Sequence, residues 1–159
     1  MPILSRLTLL ALLVGMNGAA FGASASADGL ISTQSPYSVA ETVERFEKRA
    51  QDKGLKIFAV VEHAQGAAEV DMTLRPTTVV IFGNPKGGTP FMQCAQTVGI
   101  DLPLKALVWE DAAGQTWMGY NDPAYIAKRH GVPDCKPVQP ISKALAGLTQ
   151  ATVAEKKSD

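Results

Sequence analysis

The sequence predicts an α+β fold, with a mostly antiparallel sheet and helices packed on it. Three observations carry this reading. The elements run in the order β-α-β-β-α-β-β-α-α, which mixes strands and helices without strict alternation. A hairpin at residues 105–121 interrupts any strand–helix–strand repeat, which argues against a doubly wound parallel sheet. Residues 28–154 are one domain's worth of chain, enough to bury a core.

The first 27 residues read as an export signal rather than as fold. Arg6 supplies the positive end, and the apolar run at residues 7–14 is too short to span a bilayer. Ala23-Ser24-Ala25 and Ala25-Ser26-Ala27 each present the small-x-small pattern of a signal peptidase site, which places the cut after Ala25 or Ala27. The expected location is therefore periplasmic. The chain carries 15 Lys and Arg against 15 Asp and Glu, and losing Arg6 leaves 14 against 15, a net charge of −1. With no basic stripe, nucleic acid is a poor partner. No second long apolar segment follows, so no membrane association is expected after cleavage. Residues 155–159 read as a polar C-terminal tail.

Each element has a local reason. Leu30-Ile31-Ser32-Thr33 is a short strand that Pro36 ends. Ser38-Val39-Ala40-Glu41 is a capping box, and Val39, Val43, Phe46 and Ala50 then recur at helical spacing until Gly54. Residues 56–63 form a nearly continuous apolar run, expected to be a central strand with His63 at its end. Residues 64–72 suit a short helix or turn, and residues 77–82 a second apolar strand. Thr89 is placed as the cap of the next helix, with Pro90 in its first position, and Gly99 as its end.

In the hairpin, opposing Glu110 with Thr116 sets Trp109 against Trp117, Val108 against Met118 and Ala106 against Tyr120. A cross-strand aromatic pair stabilises a sheet, so these tryptophans need no ligand to explain them. Asp122 caps a short helix ending near His130, where the helix dipole favours a cation. A last helix opens at Pro140 with Ile141, Leu145, Leu148 and Thr152 on one stripe.

The densest stretch lies between the second apolar strand and the Thr89 helix, from Phe82-Gly83-Asn84-Pro85 to Gly88. Glycines leading to a helix N-terminus outline an anion-binding loop, and Gly83 to Gly88 has the glycine spacing of a nucleotide-binding loop. The Lys and Ser or Thr that should follow are absent, which rejects nucleotide. A smaller anion or an apolar ligand remains open, as does a plain turn whose glycines relieve backbone strain.

The candidate binding set is His63, Phe82, Gly83, Asn84, Gly88, Thr89 and Tyr120. No residue is singled out as catalytic. No Cys-x-x-Cys, His-x-x-x-His or Gly-x-Ser-x-Gly occurs, so zinc, covalent haem and nucleophile-elbow signatures are missing. Glu110, Asp111 and Asp122 each have a structural role as turn or cap. Cys94 and Cys135 form either a disulfide, suited to an oxidising compartment, or two buried thiols.

Four motifs in order, Phe82-Gly83-Asn84-Pro85 with Gly88-Thr89-Pro90, Asp101-Leu102-Pro103-Leu104, Val108-Trp109-Glu110-Asp111 and Tyr120-Asn121-Asp122-Pro123, resemble the bacterial family called domain of unknown function 302. The resemblance implies an α+β fold similar to TATA-binding-protein-like domains and a homodimer. It implies no reaction and no cofactor, and it says nothing about Cys94 or Cys135. The leading expectation is a non-catalytic periplasmic module that binds a small molecule, an anion or a partner near residues 82–89. The alternative is a redox, metal or haem-associated protein using His63 with Cys94 and Cys135. A purely structural dimer is a third reading.

Overall fold

A computed structural model of the chain describes residues 24–25 and 29–155. The expected signal peptide falls outside these residues except for Ser24 and Ala25, and the tail falls outside except for Glu155. The elements are β1 (Ser24–Ala25), β2 (Leu30–Ser35), α1 (Val39–Asp52), β3 (Lys56–Glu62), α2 (His63–Ala68), β4 (Thr77–Gly83), α3 (Pro85–Cys94), a 3₁₀ turn (Gln96–Ile100), β5 (Leu104–Glu110), β6 (Thr116–Asn121), α4 (Pro123–Arg129) and α5 (Val138–Val153). The fold is α+β, with one antiparallel sheet in the order β1-β2-β6-β5-β4-β3.

Alternation on the strands puts one face of the sheet under helices. Val80 and Phe82 of β4, Ala106 and Val108 of β5, and Met118 and Tyr120 of β6 are buried against Val39, Val43, Phe46 and Ala50 of α1 and Leu145 and Leu148 of α5. Phe46 meets Phe82 edge-on, with ring centroids 4.9 Å apart, an arrangement that adds to simple area burial. Both helices present the stripe that their spacing predicts. The Ser38 side chain accepts a 3.2 Å hydrogen bond from the Glu41 amide and so starts α1. Gly54, at φ +70°, takes the left-handed position that ends it.

The hairpin pairs as the alternation requires, with Ala106 opposite Tyr120, Val108 opposite Met118, Trp109 opposite Trp117 and Glu110 opposite Thr116. The two indoles stack at 19°, their centroids 6.5 Å apart. Asp111 locks the turn: its carboxylate accepts from the Ala113 and Gln115 amides and from Trp117 Nε1.

Three expectations need correction. The apolar strand β3 is not central. Among the described residues it pairs only with β4 and forms the sheet's edge, and Phe58, Val60 and Val61 remain 46%, 40% and 39% exposed. An apolar run marks surface that needs covering, and here the strand itself does not supply the cover. The helix after β4 starts at Pro85 rather than at Thr89-Pro90, because Asn84 is its cap: Asn84 Oδ1 accepts from the Lys86 amide at 2.8 Å. Gly87, Gly88 and Pro90 therefore lie inside α3. That helix ends at Cys94 and gives way to the 3₁₀ turn, rather than running on to Gly99.

Candidate functional site

At the end of the sheet where β4 runs into α3 lies a cavity of about 580 Å³. Its floor is the exit of β4 and the start of β5, with Phe82, Gly83 and Leu104. One wall is α3, from Asn84 and Pro85 through Gly87, Gly88 and Thr89 to Met92. Gly99, Leu102 and Pro103 close the next side, and Pro140, Ile141, Ala144, Leu145 and Leu148 of α5 face them. Lys53, Leu55 and Phe58 complete the rim. Phe58 reaches it because the β3–β4 register slips between Ile57 and Ala59, and a bulge of this kind re-aims a side chain. The lining is hydrocarbon apart from Lys53, Asn84 and Thr89.

Glycines line part of this space. A Cβ built on Gly88 would stand 3.5 Å from Leu102 Cδ1, and one on Gly83 would stand 3.7 Å from both Phe58 and Pro103. These are ordinary contact distances, so the glycines are permissive positions facing other lining residues.

The start of α3 offers no anion cradle. Pro85 has no N–H, the Lys86 amide is taken by Asn84 Oδ1, and the Gly87 and Gly88 amides both donate to the Asn84 carbonyl. With those donors occupied, the charge at the helix start has no free N–H groups through which to grip a phosphate or carboxylate.

Of the seven residues singled out in sequence, Phe82, Gly83, Asn84, Gly88 and Thr89 line the cavity. His63 and Tyr120 do not. β3 is antiparallel to β4, so Lys56 faces Gly83 beside the cavity while Glu62 faces Thr78 at the other end, and His63 follows Glu62 there, exposed, as the first residue of α2. Tyr120 is buried in the core beneath α1 and α5, and that burial, with Asp122 nearby, raises its hydroxyl pKa above the ordinary 10.0.

Cys94 and Cys135 are joined in a disulfide, their Cα atoms 6.1 Å apart. It ties the end of α3, which lines the cavity, to the segment that leads into α5. A second tie joins the same regions. His130 Nε2 lies 2.7 Å from Asp101 Oδ2 and its Nδ1 lies 3.0 Å from Thr97 Oγ1, while Arg129 reaches Asp101 Oδ1 at 2.9 Å. Sequence reasoning saw His130 only as a cation at a helix end. Its partners lie about 30 positions away, and no local pattern announces them. Among the described residues, no group of three or more His, Cys, Asp or Glu side chains converges to hold a metal ion.

An antiparallel sheet carrying a two-helix layer on one face, with an apolar cavity at one end, is the class of domain that the coordinates define. The chain belongs to the family described as Domain of unknown function DUF302, whose pattern matches residues 31–151. The crystal structure of an uncharacterized conserved DUF302 protein from Bacillus stearothermophilus superposes with a TM-score of 0.72 at 20% identity, covering 78% of this chain and 98% of that one. In sequence, the chain is 47% identical over 104 residues to "Fluoride-specific ion channel FluC 1" of Brucella suis biovar 1 (strain 1330), covering 65% of this chain and 41% of that protein. It matches the protein of the same name from Brucella abortus biovar 1 (strain 9-941) at 47% identity, covering 38% of that protein. The chain thus spans about two fifths of the length of these curated relatives.

Proposed function

We propose that this chain is an exported, non-catalytic module that binds a small apolar molecule in the cavity beside α3. One observation carries the reading: a space of about 580 Å³, in the usual size range of ligand sites, walled almost wholly by hydrocarbon and rimmed by a few polar groups. Export is supported by the leader pattern of residues 1–27 and by the Cys94–Cys135 bridge, which suits an oxidising compartment. The alternative redox or haem role for His63 with the two cysteines has less support, since the thiols are joined to one another and His63 stands at the other end of β4.

The ion-channel name of the Brucella relatives is not carried over. The chain spans only 41% and 38% of those proteins, and among the described residues no helix is long and apolar enough to cross a membrane.

The test is a fluorescence titration with N-phenyl-1-naphthylamine, whose emission rises in apolar surroundings. The wild-type chain is expected to give a saturable rise. Ala144→Trp, at an exposed lining position on α5, is expected to suppress it. A rise that Ala144→Trp and Gly88→Leu both leave intact contradicts this site.

A second reading, homodimer formation, is favoured by the sheet's outward face. By register, Val79, Ile81, Leu107, Trp109 and Trp117 point away from the helix layer and remain half-buried. These five form an apolar patch beside Gln34, Thr77 and Lys105 on the same face, and such a patch marks an interaction surface. Light scattering is expected to give a dimer that Leu107→Glu converts to a monomer; a monomeric wild-type chain contradicts it.

A further inference from the structure

We infer that the ligand is a single-chain amphiphile with an anionic head, of the medium-chain fatty acid class, its tail lying between α3 and α5 and its head at Lys53. The inference rests on the cavity being a ligand site, and it names what that site selects.

The tail follows from the walls. Phe82, Leu102, Leu104 and Leu148 offer no donor or acceptor, so a polar group placed among them would lose its water without replacement. The occupant's middle must therefore be hydrocarbon. At roughly 30 Å³ per atom-sized group, the volume that one water takes in the liquid, the space holds about 20 non-hydrogen atoms. A ten- to twelve-carbon acid, with roughly 12 to 14 non-hydrogen atoms, fits in that space with room to spare.

The head follows from where the polar lining gathers. Asn84 Nδ2 donates to the Gly54 carbonyl at 3.3 Å, which draws the start of α3 against the turn that carries Lys53. Among the described residues Lys53 is the only charged one in the lining, with no acidic residue beside it there. Among the described residues its ammonium enters no ion pair, while the neighbouring Asp52 is taken by Lys48 at 3.4 Å. Lys53 is exposed, so its stem can lie along the apolar rim while the ammonium stays in water. A carboxylate seated there keeps its hydration and gains an opposite charge. The occupied amides of α3 leave this side chain as the group that reads the head. An exposed ion pair of this kind gives roughly a two- to fivefold preference.

Calorimetric titration of the full chain with decanoate and decyltrimethylammonium below their critical micelle concentrations and with decanol below its solubility limit tests the assignment, with acetate as a tail-less arm. Decanoate is expected to bind tightest, decanol roughly two- to fivefold weaker, the cation weaker still, and acetate not at all. K53Q is expected to bring decanoate to the affinity of decanol. If the three ten-carbon ligands bind alike and K53Q changes nothing, the head assignment falls while the cavity reading stands. If none binds, the cavity reading falls and the inference with it. A last arm separates the sources of such a chain: association with phosphatidylglycerol vesicles without binding of free decanoate overturns the inference in favour of a lipid surface.

Discussion

The two ends of β4 teach different lessons about how this chain uses an apolar strand. At Gly83 the strand opens into a cavity enclosed by α3, α5 and the segment around Leu102, with the Cys94–Cys135 bridge tying the end of α3 to the segment that leads into α5. At Thr77 the strand begins beside a turn-rich end: Thr78 pairs with Glu62, Glu110 donates its amide to the Pro76 carbonyl, and His63 and Asp111 stand at the surface or near it. One end keeps open space inside apolar walls. The other is saturated with local hydrogen bonds. Asp111 at the second end is therefore explained by the turn it locks, and the proposed ligand site lies at the first.

The largest way to break this contrast is Phe82→Ala. Phe82 is fully buried, meets Phe46 edge-on and forms part of the cavity floor. A loss of about 3–5 kcal/mol is expected in urea denaturation, the range for a buried Phe replaced by Ala.

Replacing Cys94 and Cys135 together by Ser comes next. A loop closed across 41 positions implies about 3–4 kcal/mol of stability, read as the shift between the wild-type and double-Ser curves. Binding of the naphthylamine probe is expected to weaken in the same variant, because the end of α3 then loses its covalent tie to the segment before α5.

Gly88→Ala sharpens the comparison in the opposite direction. The position lies inside a helix, and the new methyl would stand 3.5 Å from Leu102 Cδ1. Replacing Gly by Ala in a helix is worth about 0.5–1 kcal/mol, so the variant is expected to be more stable while binding its ligand more weakly. An Ala that stabilises without weakening binding would place the ligand away from α3.

The smallest effect belongs to the polar end. Hydrogen bonds from the Gln115 amide and then from Trp117 hold the Asp111 carboxyl below its ordinary 3.8. A depressed carboxyl pKa contributes stability that is present above the ordinary value and lost as pH falls through the folded-state value. Asp111→Asn is therefore expected to flatten the fall of stability below about pH 4, where this carboxyl ordinarily titrates, without changing ligand binding. Urea midpoints measured between neutral and acid pH check both halves.

Much of the fold was legible because its signals are local. The stripe of Val39, Val43, Phe46 and Ala50 needs only the helical period, and the Trp109–Trp117 register needs only the period of two and the turn that joins the strands. The start of α3 was less legible, because Asn84-Pro85 and Thr89-Pro90 are both valid cap-and-proline pairs and local chemistry cannot rank them. The edge position of β3 depends on which strands pair, and its apolar residues look the same in either place. The five lining residues from Phe82 to Thr89 were found because glycines cluster there. Ala144 and Leu148 were not found as lining, since α5 arrives from more than fifty positions away. His63 was misdirected by a neighbouring strand that is antiparallel: adjacency in the sheet put it at the opposite end.

The measurement that bears most directly on the central claim is a map of backbone amide shifts on adding decanoate to the isotopically labelled chain. The largest changes are expected on Gly83, Gly88, Leu102 and Ala144, with His63 and Ala113 unmoved. Changes centred on His63 and the β6 hairpin turn, with Gly88 and Ala144 still, would contradict it.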